Sequence, residues 1–150
     1  METKFNFKSQ ICTSKSQSET LLKLGLKKET ADMSYKVTTH DFKGNEINEK
    51  DRHYTLCCWY DESSLVCGLE RKETIPAWSL HRLWELIPKV VLKNPALHLT
   101  MCSDSIFYCT EDNNEDYEKP FSAKLNLYDN IIDSIEWLIK EGYFPKEYLV

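Results

Sequence analysis

Glycine and proline are scarce in this chain, at 4 and 5 of 150 residues. That scarcity argues against a disordered or low-complexity protein. It also leaves too few glycines for a loop that cradles phosphate through its backbone. No run of about 18 apolar residues occurs, the length needed to span a bilayer. The opening "METKFNFKSQIC" lacks the apolar stretch of a secretory signal. A soluble, intracellular, cytoplasmic protein is therefore expected, with no membrane partner. Its six cysteines, Cys12, Cys57, Cys58, Cys67, Cys102 and Cys109, are then reduced thiols.

Metal-ligand spacing is missing too. The cysteines form no C-x-x-C pair and the four histidines no H-x-x-x-H pair. No structural metal is expected, and the thiols read as small buried hydrophobes. The acidic run Asp112–Asp116 sets Tyr117 and Ala123 where a calcium loop needs Gly and Glu, so it reads as a solvated loop. Basic residues number 19 against 24 acidic ones, and they are scattered. Nucleic acid, whose binding rests on clustered positive charge, is not an expected partner. No G-x-S-x-G elbow is present, and Ser79 and His81 stand two apart, a spacing that does not face them on a helix. No cysteine is singled out as a nucleophile by a partner histidine. No catalytic residue and no cofactor are assigned.

What the chain does contain is punctuation. In "SKSQSETLLKLGL", Ser14 and Gln17 fit a capping box, and Gly25 fits the left-handed position just past a helix end. A helix over 15–24 is predicted. Met33, Tyr35 and Val37 alternate with Ser34, Lys36 and Thr38, which predicts a half-buried strand. His40 to Arg52 reads as a polar connection. "HYTLCCWY", from His53 to Tyr60, is rich in β-formers on both faces and predicts a central, doubly covered strand. A short strand at "LVCGL" follows a turn at Asp61–Ser64. "ALHLTMC" and "SIFYCT" predict a hairpin turning at Ser103–Asp104.

The stretch "IPAWSLHRLWELIP" predicts a capped helix. Ser79 is the N-cap, Trp78 and Leu83 are placed as a hydrophobic staple, and Pro88 stops it. Its apolar stripe is Leu80, Leu83, Trp84 and Ile87, with His81 and Glu85 set to pair at i, i+4. A last helix runs from the N-cap Asn126 to Gly142, with a stripe of Tyr128, Ile131, Ile132, Ile135, Leu138 and Ile139. Trp137 falls opposite that stripe, so something must cover it. The candidates are the N-terminal segment carrying Phe5, Phe7 and Ile11, or a partner chain.

The expected fold is α+β, a mostly antiparallel sheet of about four to five strands packed with two to three helices. One domain over 1–150 fits the length, with 1–12 either flexible or laid over the rest as a cover.

Three blocks carry a resemblance: T-S-x-x-Q-S-x-x-L-L-x-L-G-L at Thr13–Leu26, T-A-D-M at Thr30–Met33, and P-A-W-S-L-x-x-L-x-E-L-x-P at Pro76–Pro88. The chain resembles an uncharacterised family of small proteins from Bacteroides-group gut bacteria and their phages and mobile elements. The resemblance implies an accessory protein and brings no activity, cofactor or catalytic residue. Cap and stop roles account for Ser14, Gln17, Gly25, Ser79 and Pro88. Thr30, Asp32 and Trp78 are left over. The expectation is a non-catalytic module that binds another protein or a second copy of itself, with Trp137 at the interface. The alternative is a small-ligand binder or small enzyme, its pocket lined by Trp78, His81, Asp32 and Thr30, with Tyr60 beside them.

Overall fold

A computed structural model describes residues 9–58, 71–91, 96–101, 105–110, 118–122 and 126–150. Helix α1 spans Lys15–Lys23. The Gln17 amide N–H donates to the Ser14 hydroxyl at 3.3 Å, and the Ser14 N–H donates to the Gln17 side chain at 2.9 Å. This is the capping box expected from the sequence. At the other end Gly25 sits at φ +91°. The Gly25 N–H reaches the Leu22 carbonyl at 3.0 Å, and the Leu26 N–H reaches the Leu21 carbonyl at 3.1 Å. The helix therefore closes with both bonds of a Schellman cap. Helix α2, Leu80–Leu86, and helix α3, Leu127–Lys140, also lie where periodicity puts them. Gly142, at φ +76°, closes α3, with the Tyr143 N–H on the Leu138 carbonyl at 2.8 Å.

The strands divide into two antiparallel sheets. One is ordered β2-β1-β3, with β1 Met33–His40, β2 Tyr54–Cys57 and β3 Arg71–Ala77. The other is ordered β4-β5-β6-β7, with β4 Val90–Val91, β5 Leu97–Met101, β6 Ile106–Cys109 and β7 Glu118–Ser122. The α+β class stands, and the described residues hold seven strands in two sheets instead of four or five in one. β3 and β7 lacked a sequence signal: each holds a proline, Pro76 and Pro120, which argues against a strand interior and is tolerated at a sheet edge. Both are outer strands of their sheets.

Two strand expectations need correction. The described part of the His53–Tyr60 stretch is not a doubly covered central strand. That part, β2, is an outer strand, and Tyr54 and Thr55 are exposed. The central strand is β1, which is not half-buried: Ser34, Lys36 and Thr39 are covered along with Met33 and Val37. The polar face of β1 is covered as well, and the Lys36 ammonium keeps a partner there by donating to the Thr74 hydroxyl at 2.8 Å. The β5–β6 hairpin forms as expected, in a ladder from His98 opposite Cys109 to Met101 opposite Ile106. Its turn at Ser103–Asp104, the "LVCGL" strand and most of the acidic loop lie outside the described residues.

The main core gathers the inner faces of all three helices with Leu97, Ile106 and Tyr108 of the larger sheet. A smaller cluster of Cys12, Met33 and Ala77 lies on the three-stranded sheet, with Tyr35 and Leu56 against it. Trp78 stands at the joint where β3 ends and α2 begins. No helix among the described residues is long and apolar enough to cross a membrane.

Candidate functional site

Trp78 has no exposed surface. Its backbone N–H donates to the Thr13 hydroxyl at 3.0 Å, and its carbonyl accepts from the Thr13 N–H at 2.9 Å. The Thr13 hydroxyl also pairs with that of Ser18 on α1 at 2.8 Å, and both residues are fully buried. The indole N–H donates to the Thr30 hydroxyl at 3.0 Å, and that hydroxyl donates onward to the Lys27 carbonyl at 2.6 Å. One step along the chain, Ser79 gives both its donors to Asp32: the N–H at 2.8 Å and the hydroxyl at 2.5 Å. The Ser79 hydroxyl then accepts from the Arg82 N–H at 3.1 Å, the N-cap bond of α2. A carboxylate beside a helix N-terminus is also favoured by the helix dipole.

Thr30, Asp32 and Trp78, the residues that capping logic left over, are thus brought together. Their polar atoms are turned on one another and on Thr13, Ser18 and Ser79. All six belong to the three motif blocks. Thr13 and Ser18 were not singled out from sequence, although both stand in the first block. Their pairing with a residue far along the chain has no local signature.

His81 lies elsewhere. Its side chain is 81% exposed and its Nε2 stands 3.1 Å from Glu85 Oε1, the i, i+4 pair expected from spacing. Arg82 Nη1 meets the other Glu85 oxygen at 3.0 Å. Such exposed pairs contribute little to stability. His81 does line a groove, with Leu80, Trp84 and Met101, open to solvent and about 410 Å³ in volume. The Lys89 ammonium sits 4.3 Å above the Trp84 ring and donates to the Trp84 carbonyl. Burial pushes the Lys89 pKa down, against the pull of Glu85. Val90 and Met101 are about half exposed, and Tyr60 lies outside the described residues.

Trp137 is covered by its own chain. It packs against the main core, with its ring centroid 5.9 Å from that of Tyr108 and 5.7 Å from that of Tyr143. The face of α3 opposite the isoleucines is not a solvated one. Asn130 and Ser134 are buried there at 1% and 0% exposure, and with Trp137 they follow at steps of four and three. The Ser134 hydroxyl is satisfied within the helix, donating to the Asn130 carbonyl at 2.9 Å. Of the expected N-terminal cover, Phe5 and Phe7 lie outside the described residues, and Ile11 is 59% exposed.

Among the described residues no group of three or more His, Cys, Asp or Glu side chains is placed to hold a metal ion. Comparison with protein-family models, with curated proteins and with solved structures finds no match for this chain.

Proposed function

We propose that the chain is a non-catalytic protein-binding module working in the cytoplasm, an accessory protein of the phage or mobile-element kind that its motifs imply. The observation that carries this reading is the closed network around Trp78. Asp32, Thr30, Thr13 and Ser79 spend their polar atoms on specifying how α2 leaves β3 and how α1 lies beside it. A reactive site needs polar groups held towards a space that a substrate can enter. Here the motif's polar groups are held towards each other. The surface offers apolar contact instead. The groove brings Leu80, Trp84 and Met101 together, and Trp is enriched where binding energy concentrates. The partner is another protein or a second copy of this chain.

The alternative, a small-ligand pocket formed by Trp78, His81, Asp32 and Thr30, has less support. An indole with no exposed surface lines no pocket, and His81 points into solvent.

The test is affinity capture with wild type and with Met101→Asp, alongside light scattering for self-association. The expected result is a partner, or a concentration-dependent mass, that Met101→Asp loses while its melting temperature holds. A small molecule that raises the melting temperature of wild type, with no protein captured by either form, would favour the pocket instead.

A further inference from the structure

We propose that this chain associates with a second copy of itself, the Phe42 ring of one copy seated in the groove that Leu80, Trp84 and Met101 form on the other. The proposal rests on the protein-binding reading of that groove and names its occupant.

Phe42 is the most exposed aromatic side chain among the described residues, at 74%. The turn that carries it is closely tied. The Asp41 N–H donates to the Asn45 carbonyl at 2.9 Å, and the Gly44 N–H donates to the Asp41 carbonyl at 2.9 Å. The Asp41 carboxylate accepts from the Lys43 N–H at 2.9 Å, the Asn45 N–H at 2.8 Å and the Asn45 side-chain amide at 3.0 Å. Gly44 supplies the positive φ, +83°, that the turn needs. Beneath it His40 bridges Glu46, and the Ile47 N–H donates to the Thr39 carbonyl at 2.8 Å. None of these bonds uses the Phe42 side chain. The turn therefore forms without the ring and holds it in water, where its apolar surface contributes nothing to the fold. A mount already ordered also lowers the cost of binding through it.

The ring does not reach its own groove. Phe42 follows His40 at one end of β1, and Met33 at the other end pairs with Ala77, three residues before Leu80. Seven strand steps, about 23 Å, separate His40 from Met33. Ring and Leu80 thus lie off opposite ends of β1. An apolar knob and an apolar hollow on different parts of one molecule make a head-to-tail contact between copies. The hollow suits the knob. At about 410 Å³ it falls within the range of about 300–1,000 Å³ typical of pockets for small organic groups. Trp84 offers it an aromatic ring and Met101 an adaptable thioether. Charge agrees with this pairing. Residues 40–52 carry four acids, Asp41, Glu46, Glu49 and Asp51, against three bases, Lys43, Lys50 and Arg52. Beside the groove Arg82 and Lys89 stand against Glu85. The small excess is negative at the turn and positive at the groove, which favours their meeting.

The test is light scattering of the full chain over a range of concentrations, for wild type, Phe42→Asp, Met101→Asp and an equimolar mixture of the two variants. Both side chains are exposed, so each variant should melt with wild type. Phe42→Ser and Met101→Ser take their place if the added charge lowers the melting temperature. The wild-type mass should rise with concentration, and each variant alone should keep the mass of one chain. The mixture should regain a species of two chains, because Phe42→Asp still has the groove and Met101→Asp still has the ring. A wild type that stays at the mass of one chain up to millimolar concentration overturns the proposal, as does a mixture that stays there. Self-association that Phe42→Asp retains overturns it too. If Met101→Asp abolishes that association, the groove remains a protein site and only its occupant is wrong.

Discussion

The Trp78 indole N–H donates to the Thr30 hydroxyl at 3.0 Å, joining residues 48 positions apart at a point where the indole has no contact with water. Thr30→Val keeps the shape and removes the acceptor, leaving a buried donor unpaired. That loss should cost about 1–3 kcal/mol, read as a lower urea midpoint at unchanged slope. In a Trp78→Phe background, where the donor is already gone, the same substitution should cost much less. Equal losses in the two backgrounds would show that the contact is not the cause.

Why this network was only half legible follows from where its partners lie. Ser14, Gln17, Gly25, Asn126 and Gly142 act on residues within a turn of themselves, and spacing along the chain reveals them. Asp32 acts on Ser79 from 47 positions away, and Thr13 acts on Trp78 from 65. No periodicity connects such pairs. The same limit moved the centre of the smaller sheet. β2 has strand-forming residues in plenty, but an outer or central place depends on which strands flank it. Lys36 and Ser34 alternate with apolar residues as a solvent face would, yet both are buried, and alternation along one strand does not reveal what the rest of the chain lays over it.

The two helix-ending glycines offer a separation of strain from crowding. A Cβ added at Gly25 or Gly142 would meet nothing within 4 Å, so no contact opposes a side chain. Only the backbone objects, at φ +91° and +76°. Gly25→Ala and Gly142→Ala should each destabilise by about 1 kcal/mol, and asparagine should be better tolerated at either position. Thermal unfolding of the single variants checks this. A loss several times larger at either site would show that the position is crowded.

Trp137 distinguishes a structural role from an interface role. Its ring lies against Tyr108 and Tyr143, so Trp137→Ala should remove packing from the chain itself. The expected effect is a loss of roughly 2–4 kcal/mol in stability, with native mass unchanged by light scattering under folding conditions. A variant as stable as wild type but altered in mass would restore the interface reading.

Alkaline pH should weaken the fold, and the sign follows from burial. Tyr35 and Tyr108 have their pKa values pushed well above the ordinary 10.0, first by desolvation, and Tyr128 is raised for the same leading reason. Cys12 is raised from 9.0, again chiefly by desolvation. In each case the folded chain holds a proton that the unfolded chain releases. Their contribution is therefore complete below about pH 9 and is lost as pH climbs through 9 and 10 towards the folded values. The urea midpoint should hold steady between pH 7 and 8 and fall beyond about pH 9.5. Tyr108 supplies the sharpest check, because its hydroxyl donates to the Pro88 carbonyl at 2.7 Å and that bond is lost on ionisation. Tyr108→Phe should lower stability at neutral pH by about 1 kcal/mol and flatten the alkaline decline. A decline equally steep in the variant would assign the alkaline sensitivity to other groups.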